Sequence, residues 1–176
     1  IAKRFGISNI KEFYGSSEGN IALINADSNF GSIGRIPPYL SSVMKTRIVK
    51  FNVEEEKVER NADGFCIECE PDEIGEAIGF IPDDGKLTGR FDGYTNKEAS
   101  KKKILENVFE TGDQWFSSGD LLKRDSQGYY YFIDRIGDTF RWKSENVSTN
   151  EVSEIVSAIS GIKEANISGV EVPAQD

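Results

Sequence analysis

The chain has 176 residues, enough for one domain or for one domain and part of another. Its 38% hydrophobic and 29% charged content is that of a folded domain and excludes a disordered chain. The formal net charge of −9 excludes a general nucleic-acid or anionic-membrane surface, though not a local basic pocket. No apolar run approaches the roughly 18 residues that a membrane helix needs.

Residues 1–8 read as the end of a helix closed by Gly6. Residues 10–14 read as a short strand, followed by the turn composition Gly15-Ser16-Ser17-Glu18-Gly19 and a renewed apolar run at 21–24. Residues 29–40, with Gly31, Gly34, Pro37 and Pro38, are expected to be loop. Strands are expected at 43–53, 64–70 and 75–81, broken by a charged turn at 54–57 and by Pro71-Asp72-Glu73. Short strands parted by Gly, Pro and Asp predict a barrel-like or sandwich-like unit rather than a parallel sheet.

The clearest predicted helix covers 96–109. Asn96 can cap it, Ala99, Ile104, Leu105, Val108 and Phe109 share a face, and Lys101, Lys102 and Lys103 lie opposite in solvent. Residues 115–123 and 129–134 read as paired strands around a turn at 125–128. Ser148 or Thr149 can cap a second helix, with Glu151 completing a capping box. Val152, Ile155, Val156 and Ile159 are expected to be its buried face, Gly161 its stop, and 165–172 a closing strand. The change from strands to helix places a domain boundary near 134–138. Both ends of the sequence read as cut, so the expectation is a piece of a longer chain.

The absence of histidine removes Ser-His-Asp and Cys-His catalysis and histidine metal sites from this chain. Cys66 and Cys69 form a lone C-x-x-C without the second pair that a structural zinc site needs. Three residues apart on a strand, they point to opposite faces and read as ordinary reduced cysteines.

The chemistry-bearing groups cluster where strands stop. Tyr14 is a flat aromatic that can stack a base, and Gly15, Ser16 and Ser17 can offer backbone N–H groups and a hydroxyl to a phosphate. Glu18 can hold a metal. By itself this segment reads sooner as a plain strand-to-loop turn. Asp120, in Ser118-Gly119-Asp120, can accept both hydroxyls of a ribose, although Gly-Asp is also a common turn. Arg135 can clamp phosphate or ribose oxygens, or form a surface ion pair with an aspartate. Gly137 frees the backbone as a hinge requires. Arg141-Trp142-Lys143 sets two cations beside an aromatic, to meet an anion or to pack tryptophan under a charged surface.

The order of these segments is specific. Tyr14-Gly15-Ser16-Ser17-Glu18-Gly19, then Phe91-Asp92-Gly93-Tyr94, then Ser118-Gly119-Asp120-Leu121, then the run from Asp134 to Lys143 resembles the adenylate-forming superfamily of acyl-CoA synthetases and adenylation domains. Gly137-Asp138-Thr139-Phe140-Arg141-Trp142-Lys143, continued by Glu145-Asn146-Val147-Ser148-Thr149 and Glu151-Val152, resembles more narrowly the fatty acid transport protein, or very-long-chain acyl-CoA synthetase, family.

The resemblance implies a mixed α/β fold. Residues 1–134 would be the distal, β-rich part of a large AMP-binding domain, and 135–176 the hinge and first part of a small mobile C-terminal domain. It implies a ligase that joins a fatty acid to AMP from ATP with Mg²⁺ and passes the acyl group to CoA, coupled to fatty acid uptake. Tyr14 would stack on adenine, with Gly15 and Ser16 in the same turn. Ser17 would touch the α-phosphate, Glu18 would bind Mg²⁺, and Asp120 would hold the ribose. Arg135 would reach ribose or phosphate, Gly137 would be the hinge, and Arg141 would face the site in the thioester-forming pose. The parent is expected at a membrane, on the cytosolic face of the plasma membrane or endoplasmic reticulum, with this segment itself soluble and no nucleic-acid partner. Its oligomeric state is not legible. Alternatives are another adenylate-forming ligase, for aryl acids or in a peptide synthetase, and a non-catalytic lipid transport protein. Ser144 stands where the family has glycine, a departure that bears on the CoA half-reaction. The lysine loop for ATP phosphates and the C-terminal lysine of such enzymes are not in the sequence, so this segment alone is expected to be inactive.

Overall fold

Alternation of side chains along three neighbouring strands organises the molecule, a computed structural model that describes residues 2–7, 9–16, 21–82, 103–137, 139–142 and 145–169. In β4 (Thr46–Asn52), Ile48 enters one apolar cluster and Val49 the other; in β6 (Ile74–Phe80), Ala77 and Ile78 divide likewise. In β8 (Gln114–Arg124), Trp115 and Phe116 repeat the division. A strand period of two thus builds a core on each face of one sheet.

That sheet has seven strands. Its order is β3 (Gly34–Arg35), β9 (Tyr129–Arg135), β8, β6, β4 and β5 (Lys57–Val58), with β7 (Ile104–Glu106) also paired to β8. β1 (Glu12–Gly15) and β2 (Ala22–Asn25) form a separate pair, whose Leu23 joins the first cluster. β10 (Thr139–Trp142) and β11 (Glu145–Ser148) form a hairpin that leads into α2 (Thr149–Ser157). A single turn of helix, α1 (Ala2–Phe5), precedes Gly6. All strand pairings among the described residues are antiparallel, as the short strands and turn residues predict. The mixed fold expected from the sequence is borne out. No helix among the described residues is long and apolar enough to cross a membrane.

Four expectations are corrected. The helix over 96–109 is absent from its described part: 104–106 is strand β7, and 107–113 is a tight loop. Asp113 makes the loop by accepting the backbone N–H groups of Val108 and Phe109 at 2.6 and 3.0 Å and the indole N–H of Trp115 at 2.8 Å. Such local side-chain acceptors compete with helix formation. The stretch 29–40 is not all loop, because Gly34 and Arg35 pair with β9, and Pro38–Leu40 is a 3₁₀ turn. In 64–70 only isolated bridges form, at Cys66 and Glu68.

The fourth correction concerns α2 and the segment after it. Ser148 caps the helix as expected, accepting the Glu151 N–H at 3.2 Å. Its apolar face is not buried, with Ile155 65% and Ile159 56% exposed. Residues 165–169 are irregular rather than strand; Ser153 donates to the Ala165 carbonyl and Ser157 accepts its N–H, occupying both backbone groups.

Candidate functional site

Strand β8 is where the site begins. Across β6 and β8, Glu76 faces Leu121 and Ile78 faces Ser117, so two steps on β6 are met by four on β8. The extra residues form a bulge at Ser118, Gly119 and Asp120. A bulge re-aims the side chains it carries. Ser118 pins it by donating to the Ala77 carbonyl at 2.7 Å and accepting the Asp120 N–H at 3.0 Å. Gly119 sits at φ +80°, a conformation that side chains rarely adopt, and its carbonyl accepts the Ile136 N–H at 2.8 Å.

The result is that Asp120, still paired with Arg135 in the β8–β9 ladder, meets two other expected site residues. Tyr14, at the end of β1, donates its hydroxyl to Asp120 Oδ2 at 2.5 Å across 106 residues of sequence. Arg135, at the end of β9, sets its Nε 3.5 Å from Asp120 Oδ1. The carboxylate is 15% exposed and the guanidinium 71%, so this pair contributes little stability while leaving the cation open to an approaching ligand. Burial, then the bond to and charge of Asp120, holds the Tyr14 phenol well above its ordinary range. Tyr14 is therefore a neutral donor there.

Asp120 and Arg135 border a cleft of about 640 Å³, a size suited to a small-molecule ligand. Gly15, Ser16, Gly119, Asp120, Arg135 and Ile136 line it, together with Lys57, Glu76 and Lys103. Ser16, next to β1, donates its N–H to the Ile21 carbonyl and accepts the Ile21 N–H on its hydroxyl. Gly137 follows Ile136 at φ +95°, with no atom within 4 Å of where a Cβ would stand.

Of the expected residues, Tyr14, Gly15, Ser16, Asp120 and Arg135 are brought together, with Gly137 two residues beyond Arg135. Arg141 lies on β10, opposite Asn146. Ser17, Glu18, Phe91 and Ser144 lie outside the described residues. No group of three metal-binding side chains forms among the described residues.

Two cleft residues escape sequence reasoning. Lys103, expected on a solvated helix face, lines the cleft and donates to the Ser118 carbonyl at 3.2 Å. Its segment is the approach to an edge strand, so helical spacing assigned it to the wrong environment. Glu76 is only 3% exposed, beside the apolar Ala77 and Ile78. A lone carboxylate inside an apolar strand was the available signal. Desolvation pushes its pKa up, opposed by the hydrogen bonds from Ser117 and Gly119 and by the charge of Lys103.

No family model matches the chain. The chain is 44% identical over 171 residues, 97% of its length, to the long-chain fatty acid transport protein 1 of Mus musculus. It is 42% identical over 174 residues, 99% of its length, to the long-chain fatty acid transport protein 2 of Rattus norvegicus. It spans 26% and 28% of those relatives, about a quarter of each. In structure, 98% of the chain overlays 30% of the O-succinylbenzoate coenzyme A synthetase of Bacillus subtilis in complex with AMP, with a TM-score of 0.63 at 24% identity. The fold is thus that of a segment of the adenylate-forming coenzyme A ligases. Over nearly its whole length, then, the chain is similar to a segment of the long-chain fatty acid transport proteins.

Proposed function

We propose that this chain forms part of the nucleotide site of a long- or very-long-chain fatty acyl-CoA synthetase. Its substrates would be a fatty acid, ATP and CoA. The observation that carries the reading is that Asp120 and Arg135 line one cleft, with Tyr14 bonded to Asp120 at 2.5 Å. A nucleoside monophosphate offers three features that such a wall can bind: a flat base, a vicinal diol and an anion. Tyr14 would meet the base, Asp120 the ribose hydroxyls, and Arg135 a ribose or phosphate oxygen. Gly15, Ser16 and Ser17 would line the phosphate side. That the Bacillus subtilis synthetase of this fold was solved in complex with AMP supports a nucleotide as the ligand.

A fatty acid carboxylate is a poor electrophile. In the first half-reaction its oxygen attacks the α-phosphorus of ATP, giving acyl-AMP and pyrophosphate. In the second, the CoA thiolate attacks the acyl carbon and AMP leaves. Neither step needs a nucleophilic side chain, in keeping with a chain that has no histidine. Mg²⁺ would offset charge on the phosphates, held by Glu18 together with phosphate oxygens, an all-oxygen donor set that suits this ion. Residues 1–134 would belong to the large domain and 135–176 to a small domain that turns about Gly137. Arg141 would then reach the cleft in the thioester-forming pose. The full-length protein would work at a membrane, as the fatty acid transport name of its relatives supports.

The test is pyrophosphate release by the full-length protein with ATP, Mg²⁺ and a series of acids, with and without CoA. Release is expected with long-chain fatty acids, and acyl-CoA only when CoA is added. Release with aryl acids alone would move the reading to an aryl-CoA ligase. No release with any acid would leave a non-catalytic lipid transport protein. Release without thioester formation would confine the activity to adenylation and direct attention to Ser144.

A further inference from the structure

Beneath the bulge of β8 lies a carboxylate that the nucleotide reading does not use. Glu76 is 3% exposed, and its neighbours along β6, Ala77 and Ile78, are fully buried apolar residues. Burying a carboxylate is costly unless it is hydrogen-bonded. Its Oε1 accepts the Ser117 hydroxyl at 2.5 Å and the Gly119 N–H at 3.2 Å. Both donors flank Ser118 in the bulge of β8. Lys103 closes the arrangement from the cleft side by donating to the Ser118 carbonyl.

We propose that Glu76 is a positioning residue, which fixes the pose of Asp120 by holding the Ser117–Gly119 bulge from below. The inference rests on the reading of Asp120 as the ribose-binding residue. Gly119 carries the geometry. Its N–H, in the Ser118–Gly119 peptide, points to Glu76; its carbonyl, in the next peptide, accepts the Ile136 N–H, and that peptide leads into Asp120. One buried carboxylate therefore anchors the residue whose following peptide joins Asp120 to the end of β9, next to Arg135. An apolar residue at position 76 would leave the Gly119 N–H and Ser117 hydroxyl without an acceptor and the bulge free to shift. A misplacement of about 1 Å at a binding group is enough to lose much of its effect.

The test uses the full-length enzyme with ATP and with 2′-deoxy-ATP, and asks whether Glu76 acts through the ribose contact. Glu76→Ala is expected to raise the KM for ATP about tenfold, the effect of losing a hydrogen bond to a charged group, with kcat and the fatty acid KM within about threefold. It should also lower the preference for ATP over 2′-deoxy-ATP toward the value of Asp120→Ala. Glu76→Gln, which keeps an acceptor oxygen, should recover most of that preference. Ser117→Ala, which removes one of the two donors, should fall between, and it carries the test if Glu76→Ala does not fold. If Asp120→Ala loses the preference while Glu76→Ala and Ser117→Ala keep it, the inference is overturned and the ribose reading stands. If Asp120→Ala itself keeps the preference, the ribose reading fails and the inference with it.

Discussion

Two glycines in the site have positive φ for different reasons, and their surroundings decide what a substitution would do. At Gly119 a Cβ would stand 2.8 Å from Lys103 Nζ, so an alanine would both strain the backbone and push on the cleft. At Gly137 the space is open, and φ +95° is the sole obstacle. Gly137→Ala should therefore cost about 1–2 kcal/mol of backbone strain with no clash. If the chain turns about this residue, the strain will differ between the two poses. Pyrophosphate release is then expected to stay within about threefold of the unsubstituted enzyme while acyl-CoA formation falls about tenfold, a difference of about 1.4 kcal/mol between the two barriers. Rapid-quench measurement of each half-reaction in the full-length protein checks this. An equal effect on both halves would remove Gly137 from the pivot.

Between elements, one residue joins the sheet to the hairpin-and-helix unit beyond it. Asp134, near the end of β9, is completely buried. Its carboxylate accepts the Arg135 N–H at 2.9 Å, the Thr149 N–H at 3.0 Å and the Asn150 side-chain amide at 2.7 Å. Thr149 is the first residue of α2, where N–H groups lack helical partners and the dipole favours an anion. Asp134→Ala would leave these donors unmatched and should destabilise the docking of α2 by about 2–3 kcal/mol. Hydrogen exchange should show lost protection at Thr149 with the β4–β6–β8 amides unchanged; unaltered protection at Thr149 would rule out the link. The same elements mark what could be read from sequence. The β8–β9 hairpin was legible because alternation and the Asp125 turn are local, and so was the Ser148 cap. The bulge was not, because it exists only in the register against β6. The exposure of Ile155 and Ile159 was not, because periodicity gives a face but not what covers it. Tyr14, Asp120 and Arg135 were legible as motif residues, whereas Glu76 and Lys103 became site residues only through cross-strand neighbours.

Across the whole molecule, the sheet is a shared wall between two cores. Cys69 belongs to the cluster of Ile48, Phe116 and Leu122, and Cys66 to that of Val49, Ile78 and Trp115. The three-residue spacing read from sequence thus places one thiol on each side. Burial pushes the Cys69 thiol up to about 11 and also raises that of Cys66. Since the thiolate is the reactive form, both should be unreactive at pH 8 for want of access and of ionisation alike. The two clusters cannot come apart independently, because β4, β6 and β8 supply side chains to both. Opening one face removes the packing that keeps those strands flat against the other. Cys66 and Cys69 should therefore become reactive together. Pulsed alkylation of the full-length protein over a denaturant series, with peptide mass mapping, is expected to give one midpoint for both thiols. Labelling of Cys66 well before Cys69 would show that the Trp115 side opens by itself, and that the sheet is two stability units rather than one.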